Sequence, residues 1–242
     1  PQSSMSRKAA SEIGLLYYQD DKFPQAIDAY KRVIKEYPGS DEAKLAQRDL
    51  KSIYIDLNRV DEYASFASTL NNGIDFDPNE RDSLTYAAAE KVYMRGDVDE
   101  AKRSFINYIQ SFPKGTFALD ANYYVGLIDY NQKNYKDASA AFDKVLQYPS
   151  NKFSEDAMLL SAIMAFDVGD YQKALSLYSA IINKTDSADK MQRAQIGMLR
   201  SAVKLNSNSE IILASDKLLA SVKLSPELSN EAKYYRAKAC MA

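Results

Sequence analysis

The sequence predicts an all-α fold built from repeated helical hairpins, and three observations carry that prediction. Small or compact residues recur at Ala26, Tyr63, Ala101, Ala138 and Ala174, at spacings of 37, 38, 37 and 36 residues. An apolar residue stands three positions before each (Phe23, Val60, Val98, Tyr135, Tyr171), and Tyr30, Ala67, Phe105, Phe142 and Tyr178 stand four positions after. Aromatic–proline pairs close three of the five units, at Tyr37-Pro38, Phe112-Pro113 and Tyr148-Pro149. Self-similarity at such a period marks a solenoid, in which each unit buries its apolar face only against its neighbours.

The elements follow in order. From Arg7 to Gln19, Ala10, Ile13, Gly14 and Tyr17 recur at helical spacing, and the polar turn Asp20-Asp21-Lys22 ends the helix. The next helix runs from about Pro24 to Glu36, where a proline in the first turn is harmless because its missing N–H is unused there. Tyr37-Pro38-Gly39-Ser40 stops it and supplies the next N-cap. This unit spans about 7–40. The second unit, about 41–78, is degenerate: its first helix is longer and Tyr63 replaces the small residue. The third, about 82–115, carries Ala89, Ala101, Phe105 and Pro113. The fourth, about 119–152, carries Gly126, Ala138, Phe142 and Pro149. The fifth, about 155–188, keeps Ala162, Ala174 and Tyr178 without the proline, and the sixth, about 190–226, keeps Gly197 and little else. A half-repeat, 229–242, follows: Glu231-Ala232-Lys233-Tyr234-Tyr235 echoes Asp120-Ala121-Asn122-Tyr123-Tyr124. Residues 1–6 read as a tail and 7–242 as one solenoid. Gly14, Ala89, Gly126, Ala162 and Gly197 are expected to let the two helices of each hairpin approach closely.

Composition narrows the function classes. The hydrophobic fraction is 46% and the charged fraction 26%, which suits a folded globular chain. Lys and Arg number 31 against 33 Asp and Glu, with no block of like charge, so nothing points to nucleic acid or an anionic membrane surface. No apolar run approaches the ~18 residues of a membrane span. The absence of His removes the commonest general base and metal ligand. The single Cys, Cys240, reads as a small buried hydrophobe or a residue at a truncation edge, and not as a nucleophile. Neither a catalytic set, a metal site nor a cofactor site is expected. Asn183-Lys184-Thr185 fits a glycosylation sequon, a pattern common by chance. The chain opens PQSSM and reads as a fragment of a longer protein.

Gly14, Tyr17, Ala26, Tyr30 and Pro38 in the first unit, and their counterparts in units three to five, resemble the tetratricopeptide repeat (TPR). The resemblance implies a right-handed superhelical solenoid of about six helical hairpins plus a C-terminal helix. It also implies a concave groove made by the first helices, at repeat positions two, five, nine, twelve and thirteen. Carried over residue by residue, the partner-binding candidates are Tyr18, Arg48, Tyr86, Tyr93, Tyr123, Tyr130, Leu159 and Phe166, with Tyr234 in the last helix. Tyrosine offers broad apolar contact and a hydroxyl at low entropic cost, which suits an interface. The carboxylate clamp of some TPR proteins is not matched: Lys8, Ser11, Leu15 and Arg48 stand in its region and the asparagines are missing. The implied function is a non-enzymatic scaffold or adaptor holding a protein or peptide. Alternatives are a carbohydrate- or polymer-binding module and a structural spacer or oligomerisation segment, with self-association through the open C-terminal end. The 36–38 spacing with Tyr-Pro-x-Ser ends is similar to cell-envelope TPR proteins of Gram-negative bacteria, including outer-membrane assembly lipoproteins and the Tol–Pal coordinator. That likeness implies a periplasmic or outer-membrane-associated location and leaves a cytoplasmic one open.

Overall fold

The computed structural model describes residues 3–70, 77–148, 150–221 and 223–242. Among them stand thirteen α-helices and no strand: α1 Ser4–Gln19, α2 Phe23–Glu36, α3 Asp41–Asp56, α4 Val60–Ala67, α5 Pro78–Met94, α6 Val98–Ser111, α7 Ala118–Asn131, α8 Tyr135–Leu146, α9 Ser154–Asp167, α10 Tyr171–Ile182, α11 Ala188–Lys204, α12 Asn208–Leu219 and α13 Pro226–Met241. Pro149, expected to close the fourth repeat, lies outside the described residues. The chain divides into two compact units, 1–121 and 122–242, each described by itself.

Helix starts follow capping chemistry. Ser3 is extended and accepts the Ser6 N–H at 3.2 Å, so α1 begins at Ser4, three residues before the expected Arg7. Ser225 accepts the Leu228 N–H at 3.3 Å, and with Pro226 in the first turn α13 also begins three residues early. Ser40 caps α3 and Asp97 caps α6 by bonds to Ala43 N and Glu100 N. The turns at Gly96 and Gly169 take φ of +84° and +86°, a left-handed conformation a side chain resists.

In the first unit, Tyr30, Leu50, Ile53, Tyr54, Tyr63 and Phe66 form one apolar core, and Phe105 and Tyr108 are fully buried. A buried polar lock closes its last loop. Asp82, in the second turn of α5, accepts from the Tyr108 hydroxyl and from Thr116 N at 2.8 Å. The Tyr108 oxygen accepts in turn from Phe117 N at 3.0 Å. Burial, with the Asp82 carboxylate beside it, pushes the Tyr108 hydroxyl pKa well up. The second unit does similar work with Glu155, in the first turn of α9, which accepts from Thr185 Oγ1 at 2.9 Å and Lys190 Nζ at 3.2 Å. Thr185 is buried and also accepts from Ser187 N at 3.1 Å, so the Asn183 sequon threonine is engaged in the fold. Cys240 is exposed on α13, contrary to the buried hydrophobe expected, because Ala232 and Ala239 mark that helix's buried side.

The hairpins share one register. Gly14, Lys51, Ala89, Gly126 and Ala162 each stand nine residues before the first residue of the second helix. Tyr30, Ala67, Phe105, Phe142 and Tyr178 stand seven residues after it. A Cβ on Gly126 would meet the Phe142 ring at 2.7 Å, and one on Gly14 would meet the Tyr30 ring at 2.7 Å, so these positions bring helix pairs together as expected. The sixth hairpin departs from the expectation. Counted back from Asn208, its close-approach position is Leu199, not Gly197, and its aromatic position is Ser215. Gly197 instead faces the Tyr178 ring of α10, in the preceding hairpin. The expected register is therefore two residues off in α11, and every groove position there moves with it.

Candidate functional site

The first helix of each hairpin supplies the candidate groove residues. Among position-five residues, Tyr86 is buried and its ring lies flat on Phe117, with centroids 4.5 Å apart at 10°. Tyr123 is half-buried and lies flat on Phe153, at 4.1 Å and 11°. Each of these phenylalanines sits immediately before the next first helix, α7 or α9. The pair is a stacking contact that ties one repeat to the lead-in of the next. Position-twelve residues pack on the aromatic that opens their own second helix: Tyr18 on Phe23 at 6.0 Å, Tyr130 on Tyr135 at 6.0 Å, and Phe166 on Tyr171 at 5.3 Å. Tyr93 is half-buried and packs on Phe105 at 6.3 Å. Arg48 is exposed and paired to neighbouring Asp49 at 2.9 Å. Tyr234 on α13 is 62% exposed.

In the second unit, groove residues of two successive first helices line one cavity of about 340 Å³. From α9 come Leu159, Ile163, Phe166 and Asp167, at positions five, nine, twelve and thirteen. From α11 come Arg193, Ile196 and Arg200, which in the corrected register are positions two, five and nine, together with Gly197. Tyr178 forms part of the lining, and burial pushes its hydroxyl pKa up to about 12, with the nearby Asp167 charge adding to the effect. Gly197 lets α11 lie directly against the Tyr178 ring, which any Cβ there would run into. Of the eight expected site residues, the structure brings Leu159 and Phe166 together here. Sequence reasoning missed Ile163, Arg193, Ile196 and Arg200. The signal that finds the α11 residues is the constant distance to the following turn, not the nearest glycine.

The carboxylates around the cavity already have partners. Asp167 accepts from the Tyr135 hydroxyl at 3.4 Å, and Lys190 bridges Glu155 and Asp156 at 3.2 and 2.8 Å. Glu231 takes Arg200 through two bonds of 3.0 and 3.1 Å. Arg193 is 51% exposed along its side chain, and its ion pair with Asp189 is a loose 3.8 Å within its own helix. The four-group set of Phe166, Ile163, Arg193 and Arg200 offers apolar contact and guanidinium donors, with no nucleophile beside a base. Among the described residues no cluster of His, Cys, Asp or Glu is placed to hold a metal ion, and no helix is long and apolar enough to cross a membrane.

Paired helices at one fixed register define a helical-hairpin repeat protein. Residues 10–40 and 126–190 each match the tetratricopeptide repeat family, and the chain carries tetratricopeptide repeats. One solved structure agrees in fold, and two more are similar at lower scores. YrrB, a TPR protein with an unusual peptide-binding site, is 15% identical with a TM-score of 0.51, over 86% of this chain and 99% of that one. PilW, a type IV pilus biogenesis factor, is 15% identical at a TM-score of 0.47, over 95% and 99% of the two chains. PilF of Pseudomonas aeruginosa is 16% identical at 0.47, over 95% and 98%. No curated protein sequence matches the chain.

Proposed function

We propose that this chain is a non-enzymatic scaffold that holds a polypeptide segment against its first helices, with the cavity between α9 and α11 as the principal contact. The observation that carries this reading is the cavity's lining. Residues at successive groove positions of two first helices meet there around an open volume of about 340 Å³. Concave sites with apolar walls and a few placed polar groups are where proteins hold ligands. The position-five rings contribute differently from the expectation: one face of Tyr86 and one of Tyr123 are covered by Phe117 and Phe153. Tyr86 is in addition buried, so its ring offers no free face to a sugar, which counts against a carbohydrate module at that position. Tyr130 belongs to the same unit as the cavity, and Tyr18, Arg48 and Tyr93 are proposed as contacts on the first helices of their own unit. The 36–38 residue spacing supports a place in the bacterial cell envelope, which fractionation of native cells tests directly.

A photo-crosslinking amino acid placed at Ile163, compared with one at exposed Lys144 outside the groove, tests the scaffold reading in native cells. Polypeptide adducts at position 163 and none at 144 are expected. Equal yields at the two positions would overturn it.

A further inference from the structure

We infer that the α9–α11 groove selects an acidic polypeptide segment carrying aliphatic or aromatic side chains; this rests on the scaffold reading above and adds the ligand's chemistry. In the corrected register the groove side of α11 reads Arg193, Ile196, Arg200, Val203 and Lys204. Residues three, four and seven apart share one helical face, so these five form one strip of alternating basic and apolar character. In the structure Arg193, Arg200 and Lys204 are exposed while Ile196 and Val203 are half-buried, which matches a strip with charged edges and an apolar centre. Opposite it stand Leu159, Ile163 and Phe166.

The first helices differ in this respect. The groove positions of α9 carry two acids and no base (Asp156, Leu159, Ile163, Phe166, Asp167), and those of α5 carry one acid and no base (Ser83, Tyr86, Glu90, Tyr93, Met94). Only α11 places bases at three of its five groove positions, so its charge is a property of this helix and not of the repeat. The acids nearest the cavity are already engaged: Asp167 by Tyr135, Asp156 and Glu155 by Lys190, and Glu231 by Arg200. Arg193 meets Asp189 only at 3.8 Å, so its guanidinium can turn to an incoming carboxylate. Arg200 can share its remaining donors, because a guanidinium carries five N–H groups and Glu231 occupies two. Arg193 and Arg200 are two helical turns apart, about 10.5 Å along the axis. Carboxylates on one face of an extended segment stand two or four residues apart, about 6.6 or 13.2 Å at about 3.3 Å per residue, and the long arginine side chains cover the difference from the helix spacing. The residues between them would then lie over Ile196 and Phe166.

Selection of a random nonapeptide library displayed on phage against the full chain tests this. The expected result is enrichment of peptides bearing at least two Asp or Glu around an aliphatic or aromatic residue. A fluorescein-labelled enriched peptide should bind the Arg193→Gln variant about tenfold more weakly, the scale of one charge-assisted contact. Moving from 0.15 to 1 M salt, which shortens the screening length from about 8 to about 3 Å, should weaken binding to wild type more than to that variant. Asp167→Asn should tighten it. Enrichment of neutral or basic peptides that compete at the groove would overturn the acidic preference and leave the scaffold reading standing. If no peptide is enriched and Ile163 yields no crosslink, both readings fall.

Discussion

Replacing Tyr108 with Phe should destabilise the first unit by about 2.5–4 kcal/mol, although the ring itself still fits. The hydroxyl is the joint between α5, α6 and the loop that leads to α7. It donates to Asp82 and accepts from Phe117 N at 3.0 Å. Tyr108 is fully buried and Asp82 is 7% exposed, so water cannot replace what is lost. Losing a bond to a charged group costs about 1.5–3 kcal/mol, and leaving a buried N–H without an acceptor costs about 1–3 kcal/mol, of which the half-buried Phe117 N–H takes the smaller share. Thr116 N still bonds Asp82 at 2.8 Å, which keeps the total in the lower part of the summed range. The assay is urea unfolding followed by far-ultraviolet circular dichroism, with the slope checked for constancy so that a midpoint shift reports stability. An Asp82→Leu, Tyr108→Phe double variant should be less unstable than the two single losses added, since removing both partners leaves less unanswered polarity. A Tyr108→Phe midpoint within error of wild type would refute the reasoning.

The same physics gives further expectations. Phe142→Ala should cost about 3–5 kcal/mol, because the ring is fully buried, and Lys144→Ala, which is exposed, should stay within about 0.5 kcal/mol; thermal melts of both check this. Gly126→Val should cost about 1–3 kcal/mol in the same melts, because a Cβ already meets Phe142 at 2.7 Å. Ser215→Ala should be neutral or stabilising by up to about 1 kcal/mol in urea titrations, since it removes a fully buried hydroxyl without a hydrogen-bond partner. Alkaline titration should show delayed tyrosinate absorbance. Burial pushes Tyr30 and Tyr178 from 10.0 up to about 12, so the folded chain holds those protons where the unfolded chain has lost them. Their contribution to stability is therefore complete below pH 10 and is lost as pH rises from 10 to 12; stability flat across that window would contradict it.

How much of this was legible in the sequence depended on which residues had to be read together. The hairpins were legible because four of the six write the same pair: a small residue nine before the second helix and a ring seven after its start, as in Gly126 and Phe142. That complementarity is local and survives in any one of them. The stacking partners Phe117 and Phe153 were not legible as such, since they lie in lead-in segments outside the helical pattern, 36 residues apart. A tyrosine with one face turned to a groove and one face to a neighbouring repeat has the same periodicity in either role.

The sixth hairpin shows why no groove residue of α11 was read from the sequence. Leu199 and Ser215 occupy the positions held elsewhere by a small residue and a ring, so bulk has moved from the second helix to the first. Both are buried, which means the exchange keeps the volume between α11 and α12 filled while erasing the small–aromatic signature. A glycine two residues earlier then attracts the alignment, although Gly197 answers to Tyr178 of the neighbouring hairpin. The turn is immune to that exchange, because Asn206 takes a left-handed φ of +52° there as Asn58 and Lys133 do in their own turns, at +55° and +63°. Counting back from the turn places Arg193, Ile196 and Arg200 in the groove, where counting from the glycine would place Ala194, Met198 and Ser201, all of which are in the core. The two registers therefore predict opposite results for one perturbation. Arg200→Gln should alter ligand binding with little loss of stability beyond its exposed pair with Glu231, and Met198→Ala should cost about 2–5 kcal/mol without a direct effect on the groove. A stable Met198→Ala chain would return the register to Gly197.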